Sequence, residues 1–294
     1  SNITGNFGVL SSFHVTFSDA LHWPQNANLV RQYSFGLGLI VGINEQNVIE
    51  TETQSTSAIL DWLPADDAWG TDYSGDDFLP WLDTPLLANS DISSTWPRGY
   101  FADSGQWIET DTPTWPGDFR INILDPDFPG TWNEQSGEFS SDRDIFCTYS
   151  DYSNPQGSVG LEVEQTSYSY GRPYAEDILF WDFRIKNISS DDLDSVYIGL
   201  YSKFRPDFDN HDYLNFIDTD GDSVKDFVYV YDLNNAPDGV WSATDDPLGI
   251  VGLRIYDTPG QVGVSDFHHF NRDHSPSEDS EFWAIMTSNN SSTA

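Results

Sequence analysis

Wherever the chain shows a pattern, hydrophobic and polar residues alternate with a period of two, the spacing of a strand with one buried face. The clearest run sets Val159, Leu161 and Val163 against Gly160, Glu162 and Glu164. It predicts a half-buried strand with both glutamates on the polar face. Residues 178–186 repeat the pattern, with Leu179, Trp181, Phe183 and Ile185 on one face and Asp182, Arg184 and Lys186 on the other. The Ser- and Asp-rich residues 187–194 then supply a turn. A third strand follows from Val196 to Tyr201, and β-rich runs at 227–231, 248–256 and 262–270 predict more. Near the start, Phe35-Gly36-Leu37-Gly38-Leu39-Ile40-Val41-Gly42 predicts a buried strand whose glycines allow close approach. Helical periodicity is confined to residues 281–286.

Short strands separated by turn signals predict an all-β fold: an antiparallel β-sandwich, or two packed sandwiches, with long ordered loops rich in Trp, Pro and Asp. A length of 294 residues suits one large β-rich domain over 1–294. Within it, 140–294 reads as the main sandwich and 63–133 as a loop-rich insertion. Thr-Trp pairs recur in that insertion at Trp96, Trp115 and Trp132, but their surroundings match poorly, so no repeat architecture follows.

Charge narrows the class. The chain has 48 acidic residues against 12 Lys and Arg, a formal net charge of -36. With lysines only at 186, 203 and 225 there is no basic stripe for phosphates, which excludes nucleic acid and anionic membranes as partners. Aromatics at 15% of the chain exclude a disordered acidic tail. A surface this negative repels itself, so divalent cations or salt favour the compact state. Cys147 is the single cysteine, so no intrachain disulfide forms. No apolar run reaches the roughly 18 residues of a membrane-spanning helix, so membrane insertion is not expected. The opening Ser1-Asn2-Ile3-Thr4 lacks a charged n-region and an apolar h-region, and on that basis the chain reads as a mature form.

The most specific motif is Asp218-Thr219-Asp220-Gly221-Asp222-Ser223-Val224-Lys225-Asp226. Calcium is a hard cation that takes six to eight oxygens, and aspartates at alternate positions turn their carboxylates to one centre. Asp218, Asp220 and Asp222 occupy positions one, three and five. Val224 offers a backbone carbonyl at position seven, Asp226 stands at position nine, and Gly221 permits the sharp turn. The spacing resembles the calcium loops of integrin-type propellers and thrombospondin-type repeats. The flanks are strand-like, and the glutamate an EF-hand needs at position twelve is missing. An acidic β-turn without an ion is the rival reading, but four aspartates in nine residues repel one another without a cation. Filling at about millimolar calcium places such a loop outside the cell.

Other clusters are weaker. Asp207, Asp209 and Asp212 extend the acidic run and suit either a second ion or a solvated loop, while Asp66, Asp67, Asp72, Asp76 and Asp77 form a second patch that suits a cation or a sugar but reads first as a solvated loop. His268, His269 and His274 match no zinc spacing. Trp23, Trp96, Trp107, Trp115 and Trp132 suit either a stacking platform for sugar rings or loop anchors, and Pro after three of them favours anchoring. The chain lacks the Gly-x-Ser-x-Gly, His-Glu-x-x-His and Walker signatures. Carboxylate pairs for glycoside hydrolysis are defined by separation in space, which sequence spacing does not give.

Several segments also carry a family resemblance through their order along the chain. They are residues 35–42, then Asp144-Ile145-Phe146-Cys147-Thr148-Tyr149-Ser150-Asp151, Glu176-Asp177-Ile178-Leu179-Phe180, Lys186-Asn187-Ile188-Ser189 and Val196-Tyr197-Ile198-Gly199. Together they resemble the N-terminal β-rich module of large secreted proteins that end in a type IX secretion sorting domain. In that family an Asp-rich segment follows the Tyr-x-Gly strand, as 207–226 does here. The resemblance implies export through the outer membrane to the surface or exterior, and it supplies no catalytic residues. No sorting domain follows Ala294, which implies a longer parent protein, a processed product or a subunit built differently. Sequons at Asn2, Asn187, Asn289 and Asn290 matter only in a glycosylating host.

The expectation is therefore a non-enzymatic, calcium-stabilised protein of the cell surface or exterior, with calcium as its cofactor. It would be a filament or surface-layer subunit whose partners are its own copies or other surface proteins. A glycan-binding module is the alternative, and a polysaccharide-active hydrolase the third reading.

Overall fold

The computed structural model describes residues 21–22, 32–49, 62–64, 88–96, 98–101, 107–116, 139–151, 154, 157–204, 206, 212–219, 221, 225–232, 249–270, 276 and 278–287. Within these the protein is all-β and sandwich-like, with antiparallel sheets and one short helix. In chain order the strands begin with β1 (Leu21–His22), β2 (Gln32–Asn44), β3 (Asn47–Ile49), β4 (Leu63–Pro64) and β5 (Ala88–Asn89). Next come β6 (Gly99–Phe101), β7 (Trp107–Glu109), β8 (Arg143–Ser150), β9 (Leu161–Ser169) and β10 (Leu179–Asn187). The last are β11 (Tyr197–Phe204), β12 (Asp212–Ile217), β13 (Phe227–Asp232) and β14 (Ile250–Arg254), followed by helix α1 (Asp279–Thr287).

The chain divides into two compact units, one built mainly on residues 59–193 and the other on 12–58 and 194–294. The stretch 140–294, read from sequence as the main sandwich, is shared between them.

In the first unit β8, β9 and β10 form an antiparallel meander, and β4 and β5 pair with the outer edge of β8. Register puts Phe146, Thr166 and Asp182 in one row, Thr148, Glu164 and Arg184 in the next, and Ser150, Glu162 and Lys186 in a third. One end of this face is apolar: Ala88, Trp115 and Phe146 are buried there under Trp96 and Phe139. The rings of Trp96, Trp115 and Phe139 meet edge to face with centroids 5.4 to 5.9 Å apart. Trp96 also donates its indole N–H to the Asn89 carbonyl at 2.8 Å. These two tryptophans anchor chain to core, and neither forms an open platform. Trp23, Trp132 and the side chain of Trp107 lie outside the described residues.

Strand β9 departs from the sequence expectation. Its residues 161 to 167 are all buried, including Glu162 at 1% and Glu164 at 7% exposure. The alternation is real, but both faces are covered, so the polar positions became buried instead of wet. The carboxylates are tolerated because Lys186 approaches Glu162 at 3.6 Å and Arg184 stands opposite Glu164.

In the second unit β2 pairs with β1, β3 and β11. The run from Leu37 to Gly42 is buried throughout, as predicted for residues 35–42. Helix α1 packs there: a Cβ on Gly42 would meet Met286 Sδ at 3.2 Å and the Trp283 ring at 3.3 Å. Phe282 joins Ile40, Val48 and Tyr201 in the core, and Asp279 accepts the Val48 N–H at 3.1 Å, fixing the first turn of the helix to β3. A separate three-stranded sheet follows in the order β12-β13-β14, burying Val228 and Val230 on its inner face.

The strand predicted over 262–270 is absent. Gly260, Gln261 and Gly263 take positive φ, which breaks extended backbone there, and Val262 is 80% exposed. The aromatics beyond serve as irregular packing, Phe267 against Phe216 and Phe270 against Tyr201.

Candidate metal centre

The acidic loop joins two strands. β12 and β13 pair in register from Asp212↔Asp232 to Ile217↔Phe227, so residues 218–226 form the loop of a hairpin. The Asp226 N–H donates to the Ile217 carbonyl at 3.1 Å, which closes the loop at its base. Asp218 accepts the Gly221 N–H at 2.6 Å, a side-chain turn that winds the first half of the loop. Gly221 has φ +87, a conformation that favours glycine. Both readings from sequence, strands on either side and a sharp turn at Gly221, hold in the fold.

Asp226 is held by protein donors. Its Oδ1 accepts the Thr219 N–H at 2.8 Å, and its Oδ2 accepts the Thr219 hydroxyl. Arg254 reaches the same Oδ2 with Nε at 3.2 Å and a terminal nitrogen at 3.1 Å. The Thr219 hydroxyl bond is the main reason that the Asp226 carboxyl titrates below its ordinary range, with the Arg254 guanidinium adding to it. Arg254 is itself stacked on Tyr256, 4.5 Å from the ring centroid. Sequence reasoning missed this clamp. The signal was Arg254, the only base in the strand predicted over 248–256, and register sets it beside Phe227, next to Asp226.

Of the five proposed ligands, Asp218 and Asp226 stand at the two ends of the loop. Asp220, Asp222 and Val224 lie outside the described residues. Those five residues supply oxygens alone, which fits a hard cation. The clamp on Asp226 is compatible with that role, because position nine of such loops commonly reaches the ion through water. Among the described residues no group of three or more His, Cys, Asp or Glu side chains is assembled for a metal.

The remaining candidates add little. Asp66, Asp67, Asp72, Asp76, Asp77, Asp207, Asp209, His274 and the side chain of Asp212 lie outside the described residues. His268 faces Asp266 at 3.6 Å, while His269 lies beside the Phe216 ring at 6.4 Å. Cys147 is buried and free. No family model, curated protein or solved structure matches the chain. Among the described residues no helix is long and apolar enough to cross a membrane.

Proposed function

We propose that this is a calcium-stabilised structural protein of the cell surface or exterior, with the ion held by Asp218, Asp220, Asp222, the Val224 carbonyl and Asp226. The observation that carries the reading is the hairpin itself. An in-register pair of strands fixes both ends of a nine-residue loop, with an aspartate at each end and the turn at Gly221 between them. Bound there, calcium would neutralise carboxylates that otherwise repel and would stiffen the hairpin. Surface location follows from the calcium range of such loops, the net charge and the family resemblance.

Assembly into filaments or layers follows from the sheet edges. Among the described residues β12 and β14 have no strand on their outer sides, and open edges accept strand addition. Electron microscopy and size-exclusion chromatography of the protein with calcium and with chelator test this part. Ordered filaments or arrays in calcium are expected. Monodisperse monomers under both conditions would contradict assembly.

A second reading, glycan binding, draws on a different surface from the tryptophans. The outer face of the same sheet has a row of rings, Tyr213, Tyr231, Tyr229 and Phe227, with centroids 5.5 to 5.9 Å apart. Tyr213 is 49% and Ile250 67% exposed on that face. Sugar rings stack on such surfaces. A glycan array at millimolar calcium tests it, and binding lost in Tyr213→Ala would support this reading over a purely structural one.

A further inference from the structure

A second oxygen-rich cluster lies in the first unit, on the face of β8 and β9 beyond the tryptophan core. Thr148 and Glu164 are direct cross-strand partners there, and so are Ser150 and Glu162. Directly paired side chains share a face and stand roughly 5 Å apart at Cβ. The two glutamates, two residues apart on one strand, are roughly 7 Å apart along it. All four residues are buried: Thr148 0%, Ser150 2%, Glu162 1% and Glu164 7%.

The hydroxyls point to an occupant. Thr148 Oγ1 and Ser150 Oγ are buried and have no hydrogen-bond partner in the protein. Buried hydroxyls are almost always satisfied, by protein or by something bound. Among the described residues the basic side chains of this face sit on the other side of β9, on β10. Lys186 meets Glu162 at 3.6 Å, beyond hydrogen-bond length, with its side chain 48% exposed. Arg184 stands opposite Glu164. In these two rows of β8 and β9, two carboxylates stand beside two unsatisfied hydroxyls, all of them oxygen donors.

We propose that this face is a buried site for a divalent hard cation, calcium being the fitting one, held by Glu162, Glu164, Thr148 Oγ1 and Ser150 Oγ. Carboxylates with neutral oxygens are calcium's preferred donors, and the ion satisfies both hydroxyls while neutralising the glutamates from the β8 side. Lys186 and Arg184 balance part of the charge from the β10 side, so the site is expected to be weaker than one built on three carboxylates. It is independent of the hairpin loop and belongs to the other unit.

The test is calorimetric titration of the whole chain with calcium chloride, in a background of Asp220→Asn with Asp222→Asn to disable the hairpin loop. One calcium per chain is expected to remain. Adding Glu162→Gln with Glu164→Gln should then weaken it by about 100-fold or more, and Thr148→Val alone by about tenfold. Thr148→Val nearly conserves shape and keeps the test decisive if the paired glutamine variant fails to fold. Absence of calcium binding in the loop variant would mean that water fills the face, and would overturn the proposal. So would binding that Thr148→Val leaves unchanged. If instead the loop substitutions leave wild-type binding intact and the glutamine pair abolishes it, this site stands and the hairpin reading fails.

Discussion

Two acidic regions of this protein use the same side chain in opposite ways. At the ends of β8 the carboxylates are buried and satisfied by the protein. Asp144 accepts N–H bonds from Ser140 at 2.7 Å and Ser141 at 3.0 Å, and Asp151 accepts from Ser158, Val159 and Leu161 at 3.0, 2.5 and 2.8 Å. In the hairpin loop Asp218 and Asp226 lie nearer to solvent, Asp218 accepting the Gly221 N–H and Asp226 held by Thr219 and Arg254. A carboxylate surrounded by backbone donors is an internal acceptor that needs no ion. Aspartates crowded on a loop repel one another, and a cation would relieve that repulsion. Proximity in sequence does not separate the two cases; the supply of N–H groups does.

Removing the buried supports around β8 should cost the most. Trp115→Ala, which empties the ring cluster over Phe146, should cost about 4 kcal/mol in urea unfolding. Asp151→Ala strands three donors beneath the loop between β8 and β9 and should cost about 3 kcal/mol, equally in calcium and in chelator. A calcium-dependent loss in Asp151→Ala would erase the distinction between the regions.

Acid titration sharpens it further. Burial raises the Asp144 carboxyl above its ordinary value, so the folded state binds a proton before the unfolded chain does. As pH falls from that raised value to the ordinary one, this group adds stability. Asp226 is lowered, so its contribution persists at neutral pH and is lost only as pH falls through and below the ordinary aspartate range. In chelator, melting temperature measured against pH should lose the first effect in Asp144→Asn and the second in Asp226→Asn. Arg254→Met should give the smallest change of the set, since the loop keeps its Thr219 bonds, and salt should shrink the difference further.

The strand positions were largely readable because burial leaves a period-two or continuous apolar trace, as in residues 35–42 and 178–186. Helix α1 was readable over 281–286 from its helical periodicity. What covers a strand was not readable. Glu162 and Glu164 looked like a wet face because the cover over β9 comes from elsewhere in the chain, and only Arg184 and Lys186 across the β9–β10 pairing hinted at burial. Residues 262–270 had strand-forming side chains, but positive φ at Gly260 and Gly263 outweighed propensity. Trp96 and Trp115 read as anchors from the prolines that follow them, but what they anchor against was not legible because Phe139 is distant in sequence. In the loop, the motif and its glycine were legible, whereas the Arg254 clamp required the register of β13 on β14.

Calcium bound at residues 218–226 should stabilise the fold, and calorimetric melting in millimolar calcium and in chelator measures that stabilisation. At a calcium concentration about 100 times Kd, the bound ion adds about 2.7 kcal/mol. Chelation is expected to lower the melting temperature by several degrees, roughly 2 to 4 °C per kcal/mol for a unit of this size, and Asp220→Ala or Asp222→Ala to remove most of that shift. Superimposable melting curves in calcium and chelator would contradict it.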